Sequence, residues 1–358
     1  MPPSGIEKLP VELLQPIFFS SGHNVALLQA SDRVAARLSS DYVYNATCRR
    51  YFSGILDDRT AQTAAQTYIF ASKWMNWTYF KSWVMSAYES NGCLCGLRPE
   101  QGCFDAQWPP NFENATDMVF SRSHLPRLAF VKARVPKKLL HGPWTLDKVQ
   151  FLQFLLWITS MSVCWQDADV RQTAIAGRIQ AIKEQNVEAV ELFNHNRRLG
   201  KVADLPMVRF AVLEGGCNRS IVYDLLSTAS MWGTVISWEC DELDAWCQER
   251  IKANDPKGKW LETKLKELRI DRQLRKGHLS DDRLDSKAGD YDGGAEDQLV
   301  VKQHKWNQVS KHFPFFRRLS YERHPILRLV TDCPSAFVHF LWRLRYERNY
   351  WTFFTSVV

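Results

Sequence analysis

The sequence predicts an all-α protein. Apolar residues recur at helical spacing along most of its 358 residues, and short turns rich in Gly, Pro and Asn separate the periodic stretches. The composition agrees with a packed interior: 45% of residues are apolar and 24% charged, and 14 Trp and 20 Phe supply large rings for burial. The length suits one large domain or two to three ordinary ones, because single cores rarely grow beyond about 250–300 residues.

At the N-terminus, Leu9, Leu13, Leu14, Ile17 and Phe18 fall on one helix face. Pro10 suits the first turn, where its missing N–H costs nothing. Pro16 removes an interior hydrogen bond, so a kinked or shortened helix is expected. Gly22-His23-Asn24 reads as a turn. A second helix is expected over residues 25–38 through Leu27, Leu28, Ala30, Val34, Ala35 and Leu38, and Asp41 caps a short third helix passing through Tyr44 and Cys48.

Residues 60–88 read as a long aromatic helical region carrying Tyr68, Phe70, Trp74, Trp77, Phe80 and Trp83. Gly and Pro clusters with three cysteines break it over residues 92–114. Segments 125–140, 146–161, 170–193 and 207–229 then alternate helix with turn, and 238–252 and 257–276 read as solvent-facing helices. Residues 279–298 hold the acids Asp281, Asp282, Asp285, Asp290, Asp292, Glu296 and Asp297 with little apolar surface to offset ordering entropy, which predicts an acidic flexible loop. Residues 299–358 turn apolar and basic again, through Phe313, Phe315, Phe316, Leu327, Phe340 and Trp342. They predict a C-terminal helical segment that packs on the preceding region.

The formal net charge of +7 is a mild bias over this length and does not by itself point to nucleic acid. The nine cysteines are odd in number and mostly lie in apolar or helical contexts, which reads as free thiols in a reducing compartment. No signal peptide follows Met1-Pro2-Pro3-Ser4-Gly5. The most apolar run, residues 151–163, contains Gln153 and Thr159 and is too short to span a bilayer. No membrane association is therefore expected, and the cytoplasm or nucleus is the expected location.

Leu9-Pro10-Val11-Glu12-Leu13-Leu14-Gln15-Pro16-Ile17-Phe18 resembles the opening of an F-box: Leu-Pro, a Glu-Leu pair, then Ile-Phe. Leu27-Leu28-Gln29-Ala30-Ser31 and Arg33-Val34-Ala35 stand where that family carries its second helix and the run before the third. Cys48-Arg49-Arg50-Tyr51-Phe52 resembles its closing segment, though farther along than usual. The resemblance covers residues 6–52 and implies a three-helix module. It departs from the family at Pro16 and at the polar Ser20-Ser21. Leu9, Pro10, Leu13, Ile17 and Phe18 make an apolar patch too large for such a unit to bury alone. The family implies the cover: a Skp-type adaptor, itself bound to a cullin scaffold. Leu9, Pro10, Leu13, Leu14, Ile17, Phe18, Leu27 and Leu28 would then be the docking residues.

Behind this module, residues 60–278 read as a helical recognition region. Met207-Val208-Arg209-Phe210-Ala211-Val212-Leu213-Glu214-Gly215-Gly216, followed by Ile221-Val222-Tyr223-Asp224-Leu225-Leu226, resembles the centre of an ankyrin repeat. A fainter copy runs from Ala181 to Phe193, and Lys148 to Leu156 is a third candidate second helix. Leu155 and Leu192 lie 37 residues apart, and Leu192 and Leu225 lie 33 apart. The ankyrin period is about 33. The Thr-Pro-Leu-His signature is absent, and a generic helical array accounts for the spacing equally well. Paired helices expose a groove in either case, over about residues 125–230, and that groove is the expected client surface.

Candidates for chemistry are sparse. Cys93-x-Cys95 with Cys103 and His124 lacks the ligand spacing of structural zinc, so free thiols are the better reading and neither metal nor cofactor is expected. The nine histidines form no His-x-x-x-His pair, and no nucleophile elbow or phosphate loop occurs. Asp241, Glu242 and Asp244 read as first-turn acids facing a helix dipole. The basic residues at 257–276 are interrupted by Glu262, Glu267 and Asp271, as on a solvated helix face. The expectation is thus a substrate-recruiting adaptor of a cullin-RING ubiquitin ligase, not an enzyme. The rival is a helical scaffold whose N-terminal helices pack against its own second domain.

Overall fold

A computed structural model describes residues 4–96, 108–115, 118, 126–196, 198–200, 203–231, 235 and 237–273. The acidic segment 279–298, the C-terminal segment 299–358, Cys103 and His124 lie outside the described residues. The described part is all-α. Its only β feature is an isolated parallel bridge between Arg134 and Ser162. None of its helices is long and apolar enough to cross a membrane. It divides into two compact units, the described residues up to 141 with 145–174, and residues 142–144 with the described residues from 175 to 273.

The first unit opens with α1 (Gly5–Lys8), α2 (Val11–Ser20), α3 (Ala26–Ala30), α4 (Asp32–Arg37) and α5 (Asp41–Phe52). Leu14 and Phe18 of α2, Val34 and Leu38 at α4 and Val43 of α5 form its core, with Ile6, Phe19, Leu27 and Leu28 packed against them. Tyr51 ties the chain between α2 and α3 to α5, its hydroxyl donating to the carbonyls of Gly22 at 3.2 Å and His23 at 3.0 Å.

Three expectations for this stretch are corrected. The helix expected over residues 25–38 is two helices, because Ser31 is extended (φ −160°, ψ 132°). Its hydroxyl accepts from the Arg33 amide and donates to Glu7. That side-chain bonding competes with a continuing helix. The third helix is not short. It runs twelve residues, and Ser40, not Asp41, caps it through the Val43 amide. Pro16 neither ends nor shortens α2, which continues through Ser20. Glu12, whose carbonyl loses its partner, and Pro16 both lie on the exposed side, where solvent can serve that carbonyl.

The aromatic region is two helices, α6 (Arg59–Ala71) and α7 (Trp77–Tyr88). Two buried glutamines of α6 bond the end of α5. Gln62 donates to Tyr51 O at 3.2 Å and Gly54 O at 2.7 Å, and Gln66 donates to Tyr51 O at 2.9 Å. Buried polar side chains placed this way satisfy carbonyls that a helix end leaves without partners. Phe52 packs on Phe70 and Trp83, and Trp77 and Phe80 pack on Phe151 and Phe154 of α8 (Leu146–Ile158). The N-terminal helices thus share a unit with residues well beyond 52.

Residues 126–140 do not form the helix expected over 125–140. From residue 126 they run as turns and extended chain with one 3-10 turn at Lys137–Leu139. Their backbone is bonded elsewhere: Ser160 N donates to Val131 O at 2.8 Å and Val135 N to Ser162 O at 3.0 Å. Lys138 reaches the carbonyls of Ser72 and, at 2.8 Å, Met75, and burial lowers its pKa to about 8.

In the second unit, the C-terminal part of α9 (Ala168–Lys183) leads to α10 (Val187–His195), α11 (Leu205–Leu213), α12 (Arg219–Met231), α13 (Asp241–Lys252) and α14 (Pro256–Gln273). Asn186 caps α10 through the Ala189 amide at 2.9 Å. Asn218 does the same at the start of α12, accepting from Ser220 N at 3.0 Å and Ile221 N at 3.3 Å. Gly215 lets α11 turn tightly toward α12, since a Cβ there would lie 2.6 Å from Ile182 Cγ2 and 2.8 Å from Ala211 O. Of the segments 238–252 and 257–276, expected to face solvent, the described residues up to 273 are amphipathic. Leu243 and Cys247 of α13 and Leu261, Leu265 and Leu268 of α14 are buried. Asp241, Glu242 and Asp244 do occupy the first turn of α13.

Candidate functional site

Helix α2 sorts the expected docking residues into two sets. Leu14 and Phe18 are fully buried in the core of their own module, so as side chains they have no face left for a partner. Leu9, Leu27 and Leu28 are half-buried, the last two against the same core. Leu13 and Ile17 remain 54% and 42% exposed. Pro10 and Pro16 are also exposed, and at helical spacing the four share one stripe of α2. The outer stripe is Pro10, Leu13, Pro16 and Ile17; Leu14 and Phe18 anchor the helix from its inner side.

This stripe has the features of a helix-in-groove docking site. Its two aliphatic chains are already about half covered, so full cover would contribute roughly 0.6–1.6 kcal/mol each. Its backbone is pre-formed, so a partner would not have to order it. Beside the stripe, Phe19 meets the exposed ring of Tyr42 edge-on at 5.5 Å between centroids. Reading the sequence did not select Pro16 for this face. Its i+3 spacing from Leu13 was the available signal.

A second cluster, also not anticipated, lies inside the second unit. Asp224 of α12 accepts from Asn194 Nδ2 at 2.6 Å and sits 2.5 Å from His195 Nε2, while buried Arg178 of α9 donates to Asn194 Oδ1. Burial acts to push the His195 imidazole down. The charge of Asp224 and its hydrogen bond outweigh that and raise the pKa above 6.5. Burial likewise acts to raise Asp224. His195, then Asn194 and Arg178, hold its carboxyl below 3.8 instead. Burial brings Arg178 down to about 10 against the pull of Asp224 and Asp204. Every member is engaged by another, so the cluster reads as a charged tie between α9, α10 and α12. The signal Asn194-His195 at a helix end, far in sequence from Asp224, was too weak to find it.

The Cys93 and Cys95 thiols are buried with their sulfurs 3.2 Å apart. Among the described residues no group of three or more His, Cys, Asp and Glu is gathered as metal ligands would be. A shallow depression beside the end of α5 is lined by Arg50, Tyr51, Ile55, Asp57, Asp58 and Gln62.

Compared with protein-family models, curated proteins and solved structures, the chain matches none of them.

Proposed function

We propose that the protein is a substrate-recruiting adaptor of an SCF-type, cullin-RING ubiquitin ligase. The N-terminal module docks a Skp-type adaptor on the cullin scaffold, and the helical region behind it holds a client protein. One observation carries this reading. In the segment that resembles an F-box, Leu13 and Ile17 stand out to solvent beside Pro10 and Pro16, while Leu14 and Phe18 of the same helix are locked into a core. Exposed aliphatic stripes of this kind mark interaction sites. The mechanism is tethering: a bound client has its lysines held at high effective concentration near the charged conjugating enzyme. No residue of this chain performs the chemistry. The helix pairs α9–α10 and α11–α12, each turning into an Asn-capped second helix, support an ankyrin-like client surface. A ligase of this type works in the cytosol or nucleus.

Co-purification of the intact chain with a Skp-type adaptor tests the proposal, repeated with Leu13→Asp and Ile17→Asp. Capture by the wild type and loss in both variants, with unchanged helical circular dichroism, is the expected result. Absence of any complex with the wild-type chain sinks the assignment. It returns the protein to its rival, a scaffold without a ligase.

A further inference from the structure

The loop that follows α7 brings together two thiols that the proposed function does not use. A 3-10 turn, Glu89–Asn91, ends at Gly92, and the chain then runs through Cys93, Leu94 and Cys95. Leu94 fixes this stretch. Its side chain is buried, and its carbonyl accepts from the Arg127 amide at 2.9 Å. Leu94 is thus anchored between the two cysteines, both of which are buried. Their sulfurs are 3.2 Å apart, closer than an ordinary sulfur contact and about 1.2 Å longer than a disulfide bond of ~2.05 Å.

We propose that Cys93 and Cys95 form a dithiol redox site that a small disulfide oxidant such as oxidised glutathione converts to an intraloop disulfide. Both cysteines are buried, Cys93 at 5% and Cys95 at 1% exposed, and the more exposed Cys93 is taken as the attacking sulfur and Cys95 as the resolving one. The Cys93 thiolate attacks one sulfur of oxidised glutathione and expels the first glutathione thiolate, leaving a mixed disulfide. The Cys95 thiolate then attacks Cys93 Sγ and expels the second. Two electrons pass from the cysteine pair to glutathione, and the two thiol protons end on the two released glutathiones. The ring closed by an i, i+2 pair is small, and strained disulfides have higher, more easily reduced potentials than structural ones. The bond is therefore reversible by excess reduced glutathione.

The full-length protein is equilibrated over a series of reduced-to-oxidised glutathione ratios, quenched in acid, alkylated and mapped by peptide mass spectrometry. The expected result is a peptide containing Cys93 and Cys95 that has lost two hydrogens and escapes alkylation, and that regains both alkyl groups when reduced glutathione is restored. The half-exposed Cys164 and Cys240 report that the oxidant is active. In a Cys95→Ser protein the reaction stops early, and Cys93 retains glutathione. A Cys93–Cys95 pair that stays alkylated while Cys164 and Cys240 take up glutathione overturns the proposal. So does a bond from either cysteine to Cys103. Glutathione retained on Cys95 in Cys93→Ser, with none on Cys93 in Cys95→Ser, overturns the assigned order. The wild-type measurement decides the pair by itself, whatever the stability of the variants.

Discussion

The Asp224 carboxylate sits 2.5 Å from Nε2 of His195, and the same carboxylate accepts from the neighbouring Asn194. Two consecutive residues of α10 thereby grip one residue of α12, and Arg178 closes the group through Asn194. Removing the carboxylate leaves buried Arg178 without one of its two acidic neighbours and half-buried His195 without its partner. We expect Asp224→Ala to destabilise the protein by about 3–5 kcal/mol, as when one partner of a buried ion pair is deleted. Urea titration followed by circular dichroism reads this as a lower midpoint. A change under about 0.5 kcal/mol, typical of surface substitutions, would mean that the group is not a stabilising tie.

The same pair makes stability depend on pH in a defined window. The pKa of His195 is raised above its unfolded value of 6.5, so its contribution is complete below that value and is lost as pH rises through the folded pKa. The pKa of Asp224 is lowered below 3.8, so its contribution is complete above that value and is lost as pH falls through the folded pKa. The stabilisation from the pair is therefore greatest between pH 3.8 and 6.5. Unfolding free energies measured from pH 5 to 9 should decline on the alkaline side in the wild type. The decline should be shallower in His195→Gln. Equal slopes in the two proteins would refute the coupling.

Adjacent residues of α2 should behave in opposite ways. Phe18 is fully enclosed by the N-terminal core, and Phe18→Ala should cost about 3–5 kcal/mol through lost burial and the cavity left behind. Ile17 keeps 42% of its surface exposed, and Ile17→Asp should cost about 1 kcal/mol or less, well below the Phe18→Ala loss. Thermal melts of the two variants check the contrast. A large loss for Ile17→Asp would mean that its face is covered within the protein.

Gly215 is required by packing. A methyl group there would come within 2.8 Å of a backbone oxygen on α11 as well as 2.6 Å of Ile182, and the backbone contact cannot be relieved by a rotamer change. Gly215→Ala should destabilise by about 1–3 kcal/mol, the usual cost of overpacking. Chemical denaturation reads the effect. Gly54→Ala, where a Cβ meets nothing within 4 Å, serves as the control.

Sequence periodicity alone determined the helical class, most helix positions from residue 141 to 273, and the first-turn acids of α13. These depend on neighbours within a turn or two. The apolar stripe of α2 was equally legible, but which of its residues would be enclosed was not. Leu13 and Leu14, or Ile17 and Phe18, differ by one position on a broad apolar face, and only contact with Val34, Leu38 and Val43 decides between them. The break at Ser31 and the extended path of residues 126–136 were likewise set at a distance. Ser31 bonds Glu7, and the extended segment bonds residues 160 and 162. The tie among Arg178, Asn194, His195 and Asp224 exists only because three helices converge. Local propensity is a sum over near neighbours. Burial and buried polar pairing depend on groups brought together by the fold, and tertiary structure alone decided them.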